Sequence, residues 1–171
     1  VYAKDDELHY CWRMDTFEQF KRLIVEKVPD DVPLAIHFRQ TTHGDTDLTN
    51  VHPFPILTKK KNGVALCMMH NGAISSIHET GCKKSDTVHY IEKILKPVLL
   101  ESPGLIHNEG FKLLVERDVG SSNKFLFLSG DGRVILMNEK SGTWEEKIWY
   151  SNTYSFDAYH RTRHTVGEYG T

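Results

Sequence analysis

The stretch Cys67–Ser75, CMMHNGAIS, runs from an apolar segment straight into an Asn-Gly pair. Asn71-Gly72 is a strong β-hairpin signal, because both residue types tolerate the positive φ that a tight type I′ turn demands. The same pair also carries a side-chain amide and an unhindered backbone N–H, the two kinds of donor from which an oxyanion hole is made. The residues around it have to decide between a turn and a site.

Upstream, Val1 to Arg13 reads as a strand, a polar turn at Asp5-Asp6 and a second strand from Glu7 to Arg13. Asp15-Thr16-Phe17-Glu18 has capping-box chemistry with Asp15 as the N-cap, and Phe17, Phe20, Ile24 and Val28 recur at helical spacing until Pro29. PLAIHFR then predicts a buried strand ending at Arg39, followed by a polar, turn-rich run. HPFPIL predicts a short edge strand, since Pro53 and Pro55 cannot donate to a central ladder. Residues 59–63 read as a loop, and VALCMMH as the strand that enters Asn71-Gly72.

Downstream, Ser85 is a good N-cap for a helix from residue 86 to about residue 100, with Val88, Ile91, Leu95, Val98 and Leu99 on one face and a kink at Pro97. Ser102-Pro103 opens a further short helix, and FKLLVERDV carries another before Gly120. From KFLFLSGDGRVILMNE onward the period becomes two, giving two strands about Gly130-Asp131-Gly132 and one more at EKIWYSN. Trp144, Trp149, Tyr150 and Tyr154 are expected in the core rather than on a base-stacking platform. Helices set among sequential hairpins predict a mostly antiparallel α+β or layered α/β domain over residues 1–155, with 156–171 as a tail of low apolar content.

The 171 residues, 39% hydrophobic, suit one domain with a real core. Twenty-one basic against 23 acidic residues give a charge of -2, so no overall field attracts nucleic acid or an anionic membrane, and Lys59-Lys60-Lys61 is expected to be a solvated loop. Cys11, Cys67 and Cys82 have neither zinc-finger nor CxxC spacing, and no apolar run approaches the ~20 residues of a membrane span, so a soluble, cytoplasmic protein is expected. Ten histidines invite a metal, but no HExxH or His-x-His pair is present, and no metal or other cofactor is expected.

Two charged residues carry the remaining signal. Arg39 ends an apolar strand, where its guanidinium needs an anion, either in a structural ion pair or as a ligand carboxylate held in bidentate fashion. Asp86 lies in the first turn of a capped helix, where it either compensates the helix dipole or receives a ligand ammonium.

HFRQTTHGDTDLTNVHPF, then MMHNGAI, then KSDTVHYIEKIL, in that order and spacing, resembles the glutaminase domain of the class II glutamine amidotransferases, which are N-terminal-nucleophile (Ntn) hydrolases. The likeness covers roughly residues 35–95 and is to the compact stand-alone versions of phages and bacteria. It implies a four-layer αββα sandwich with two mostly antiparallel sheets. It implies that Arg39 grips the α-carboxylate of glutamine with Thr42 beside it, that Asp86 binds the α-ammonium, and that Asn71 and Gly72 form the oxyanion hole, with His70, His43 and the run Asn50 to Phe54 in support. The implied partners are L-glutamine and an ammonia-accepting synthetase on another chain. The family's nucleophile is an N-terminal cysteine, which Val1 cannot replace, so an upstream segment bearing the nucleophile strand is expected. Three alternatives stand beside the glutaminase: a nucleophile-less domain that keeps the glutamine pocket for binding or protein interaction, an amide hydrolase with another substrate, and a histidine-metal hydrolase, for which His37, His43, His52 and His70 are the best placed.

Overall fold

The computed structural model describes residues 1–12, 16–38, 50–77 and 81–154. Arg39, Thr42, His43 and the 156–171 tail lie outside the described residues.

The chain opens with a hairpin of β1 (Tyr2–Lys4) and β2 (Glu7–His9), turned by Asp5 and Asp6, both at positive φ (54° and 59°). Such a double positive-φ turn matches the right-handed twist of the flanking strands. Helix α1 (Phe17–Lys27) is capped by Thr16, whose hydroxyl accepts from the Gln19 N–H at 3.2 Å. The expected cap at Asp15 is thus one residue early: the hydroxyl of Thr16, with extended backbone, meets the N–H of the third helical residue.

PLAIHFR does not form the buried strand expected of it among the residues described. Leu34 makes a single antiparallel bridge with Tyr2, and Ala35 exchanges backbone hydrogen bonds with Val1 in both directions. Beyond it, Ile36 and Phe38 are 47% and 76% exposed. Strand propensity depends on context, and an apolar run alone does not make a strand.

The centre of the fold is a four-stranded antiparallel sheet in the order β3 (Phe54–Leu57), β4 (Leu66–Asn71), β5 (Lys124–Ser129), β6 (Val134–Met137). Pro55 lies on edge strand β3, where a missing N–H costs no interior ladder bond. Between β3 and β4 the three lysines form a helical turn, α2 (Lys59–Asn62), rather than a loop; it closes at Gly63 in the left-handed region (φ 74°). The hairpin of β5 and β6 is tied at its turn by Asp131, which accepts from Arg133 Nε at 2.7 Å.

After β4 the chain does not turn back into a hairpin. It enters the helix begun by α3 (Asp86–Tyr90), capped by Ser85, whose hydroxyl accepts from the Val88 N–H at 3.3 Å. The helix continues through a π-helical turn over Ile91–Leu95 into α4 (Lys96–Glu101). This wide turn directly precedes Pro97, which has no N–H for the regular ladder, so the expected kink takes the form of a π insertion. A 3₁₀ turn (Pro103–His107) and α5 (Glu109–Val119) return the chain to β5. A separate hairpin of β7 (Thr143–Glu145) and β8 (Ile148–Tyr150) follows β6; its Trp144 is 53% exposed, Trp149 and Tyr150 are half-buried, Tyr154 beyond it is 83% exposed, and none of the four joins the core clusters.

Strand alternation divides the sheet between two apolar clusters. Leu66, Met68, Phe125 and Phe127 meet Ile91, Leu95 and Leu99 of the long helix and Val115 and Val119 of α5. Cys67, Met69 and Leu128 face Val1, Ala3 and Ala35, with Leu8 and Tyr10 beside them. Phe127 is fully buried in the first cluster, and truncating it leaves a cavity between sheet and helices. Phe127→Ala should lower the free energy of unfolding by about 3–5 kcal/mol in urea titrations; a loss under about 1 kcal/mol would mean that this cluster is not the core.

Candidate functional site

Four segments meet where β4 ends. Asn71 is the last residue of the strand and pairs with Lys124 of β5, so it belongs to a ladder rather than to a two-residue turn. By strand alternation its side chain shares a face with Cys67 and Met69, while His70 shares the opposite face with Leu66 and Met68.

Gly72 follows with φ 142°, a conformation that L side chains rarely adopt. A Cβ added there would lie 2.4 Å from Asn123 Oδ1, 2.9 Å from Asn123 Cα and 3.0 Å from His70 Nε2. Backbone conformation and contact therefore demand glycine independently.

Asp86 reaches this loop from the start of α3. Its buried carboxylate accepts from the Ile74 N–H at 2.5 Å and from the Thr87 N–H at 2.7 Å, one on each oxygen. Each carboxylate oxygen retains a second lone pair for another donor. The segment before Asp86 is fixed by fully buried Asn50, which accepts from the Ser85 N–H at 2.7 Å and donates to the Lys83 carbonyl at 2.9 Å.

Beneath Gly72, His70 is buried between two polar partners: Nδ1 lies 2.7 Å from Thr87 Oγ1 and Nε2 lies 2.9 Å from Asn123 Oδ1. Asn123 in turn donates to the Val119 carbonyl at 2.6 Å, and its own carbonyl accepts from Asn138 Nδ2 at 2.7 Å. Burial pulls the His70 pKa below the ordinary imidazole value; the hydrogen bond to Asn123 and the charge of Asp86 pull the other way, and Lys124 adds to the lowering.

A cavity of 590 Å³ opens on the Met69 face of the sheet, walled by Tyr10, Trp12, Phe20, Phe38, His52 and Met69 among others. Tyr10 and Trp12 stack with ring centroids 4.8 Å apart, and His37 and His52 at 4.0 Å. Met69, on the same face of β4 as Asn71 and two residues before it, lines this cavity, whereas Asn71, Gly72 and Asp86 do not. No group of three or more histidine, cysteine or acidic side chains able to hold a metal occurs among the described residues, and no described helix is long and apolar enough to cross a membrane.

Of the residues singled out from sequence, Asn71, Gly72, Asp86 and His70 come together at this corner. Thr87, Asn123 and Asn138 were not singled out from sequence. Thr87 is the neighbour of Asp86 and Asn123 the last polar residue before an apolar strand, positions that mark element ends without announcing contact over 53 residues with His70. The chain matches no family model, no curated protein and no solved structure with which it was compared.

Gly72→Ala should cost at least about 1–3 kcal/mol of stability, whereas Gly104→Ala, with open space around it and no positive φ, should stay within about 0.5 kcal/mol. Equal losses in thermal or urea unfolding would contradict the packing under Gly72. Neutral His70 also fixes the sign of a pH effect. Below about pH 6.5 the unfolded chain binds a proton that the folded imidazole refuses, so stability falls as pH drops below that value. Urea titrations from about pH 7.5 to pH 5 should show a shallower decline for His70→Gln; an unchanged slope would mean that His70 is not buried neutral.

Proposed function

We propose that this chain is a glutaminase domain of the class II glutamine amidotransferase kind, hydrolysing L-glutamine to glutamate and ammonia for a synthetase on another chain. One observation carries the reading: Asp86 accepts a hydrogen bond from Ile74, two residues past Gly72, so the residues that the resemblance assigns to the oxyanion and to the substrate ammonium occupy one corner. A hairpin turn accounts for Asn71-Gly72 alone. A glutamine site accounts for Asn71, Gly72, Asp86 and the glycine requirement at position 72 together.

In this reading the Asn71 amide and the Gly72 N–H meet the oxyanion of the tetrahedral intermediate, donors whose individual loss typically costs ~2.7–4 kcal/mol in the barrier. The Asp86 carboxylate takes the α-ammonium on its remaining lone pairs, and Arg39 with Thr42 takes the α-carboxylate, so a zwitterion is read by one anion and one cation held apart. His43 and His70 support them. The fold is read as an Ntn-type four-layer αββα sandwich. Its support is the sequence of packed elements: Phe20 of α1 against Phe38, the first hairpin over the central sheet, and the long helix with α5 over the sheet's other face.

In the family of this reading the nucleophile is a cysteine at the mature N-terminus. Cys67 does not suit the task, because burial pushes its thiol up to about 11, leaving almost no thiolate at neutral pH. With Cys67 so poor a nucleophile, a second reading has the described residues bind glutamine without turnover, as a binding or interaction module.

Calorimetric titration with L-glutamine, together with an ammonia-release assay, separates these readings. The glutaminase predicts binding and ammonia; the binding module predicts binding alone. Asp86→Ala should weaken L-glutamine binding at least about tenfold, as expected for loss of a hydrogen bond to a charged group. Unchanged affinity in that variant, or no binding by the unsubstituted chain, would contradict the amino-acid site.

A further inference from the structure

His70 is in the wrong place for a packing residue. It occupies the helix-facing side of β4 in line with Leu66 and Met68, yet it brings two ring nitrogens, a hydroxyl and a carboxamide into the interior, where each must be satisfied. An apolar trio would fill the same space without that demand.

The partners define which nitrogen carries the proton. Asn123 Nδ2 donates to the Val119 carbonyl, so the atom facing His70 is the acceptor Oδ1, and Nε2 must be the protonated nitrogen. Nδ1 of the neutral ring is then bare and accepts from the Thr87 hydroxyl at 2.7 Å. That hydroxyl has one proton, and its alternative acceptor, Asp86 Oδ1, is farther away at 3.3 Å, so the shorter contact takes it. In the opposite tautomer two acceptors would face each other at 2.9 Å, and the Thr87 hydroxyl would have to turn toward Asp86.

These contacts close a ring. His70 runs by its own backbone into Asn71, Gly72 and Ile74; Ile74 donates to Asp86; Asp86 accepts from the Thr87 N–H; and the Thr87 hydroxyl returns to His70. Asn123 braces the ring from below, within contact distance of the Gly72 Cα substituent position and of Nε2. We propose that His70, locked in its Nε2–H tautomer by Thr87 and Asn123, is the positioning residue that fixes Gly72 relative to the Asp86 carboxylate. His70 touches no substrate in this scheme; it acts through the two groups that do. The inference rests on the glutamine reading only for what the fixed geometry is used for.

The test is a long-range ¹H–¹⁵N spectrum of the His70 ring in the full chain, with calorimetric L-glutamine binding beside it. The unsubstituted chain should show protonated Nε2 and bare Nδ1 at neutral pH; an Nδ1–H ring or a tautomer mixture would overturn the proposal with no variant needed. Thr87→Val removes the hydroxyl at nearly constant shape. It should mix the tautomers, shift the Gly72 and Ile74 amide signals and weaken L-glutamine binding roughly three- to tenfold, the scale of one lost hydrogen bond. Thr87→Ser keeps the hydroxyl and should restore all three. Unmoved ring nitrogens and Gly72 amide in Thr87→Val, or a Thr87→Ser variant that behaves like Thr87→Val, would reduce Thr87 to a packing residue and overturn the proposal. If the unsubstituted chain binds no L-glutamine, the glutamine reading falls, and the ring nitrogens and the Gly72 amide still decide whether His70 holds the corner.

Discussion

The corner of this fold depends on how one buried carboxylate is satisfied. Asp86 is almost fully removed from solvent, and a carboxylate in that position is costly unless hydrogen bonds replace its water. It obtains them from two backbone N–H groups, one in its own helix and one in the loop beyond β4. Hydrogen bonds to a charged group are worth about 1.5–3 kcal/mol each, enough to hold a loop whose own conformation, with Gly72 at φ 142°, is unfavourable for any other residue. The strand end, the loop and the helix start therefore form one unit rather than three neighbours.

The rest of the architecture serves that unit. The central sheet sets Asn71 in register with Lys124, and its alternation turns Asn71 and His70 to opposite faces. On one face Met69 lines the aromatic cavity. On the other, His70 connects to Thr87 and Asn123, which lie at the starts of α3 and β5. Asn50 braces the approach to Asp86, and Asn138 braces Asn123. Side-chain amides do most of this work, since each can accept and donate at once and so can join two elements without carrying charge into the interior.

Much of this was legible because it is local. Asp5-Asp6 announces its turn, Ser85 its helix, and the apolar run VALCMMH and the period-two KFLFLS the two central strands. The α+β class and the antiparallel pairing follow from such signals. The misreadings share a cause in tertiary context: PLAIHFR is apolar enough for a buried strand but makes a single bridge, Leu34 to Tyr2, among the described residues, and Trp144 looks like core but lies exposed on a peripheral hairpin. Asn71-Gly72 shows the limit most clearly. Its local signal favours a hairpin, and only the long-range contacts of Asp86, His70 and Asn123 make it the end of a ladder with a required glycine. Those three residues are separated in sequence by up to 53 positions, a distance no pattern of spacing encodes.

The central claim is that the Asn71-Gly72 end of β4 and the Asp86 carboxylate form a single site for L-glutamine. An amide ¹H–¹⁵N titration with L-glutamine, and with D-glutamine as control, tests it most directly. The account predicts saturable, stereoselective shifts confined to Gly72, Ile74, Thr87 and their neighbours, with the β7–β8 hairpin unmoved. Shifts that instead cluster at the separate 320 Å³ pocket lined by Ile106, Lys112, Glu139 and Trp144, or no saturable shift anywhere, would contradict it.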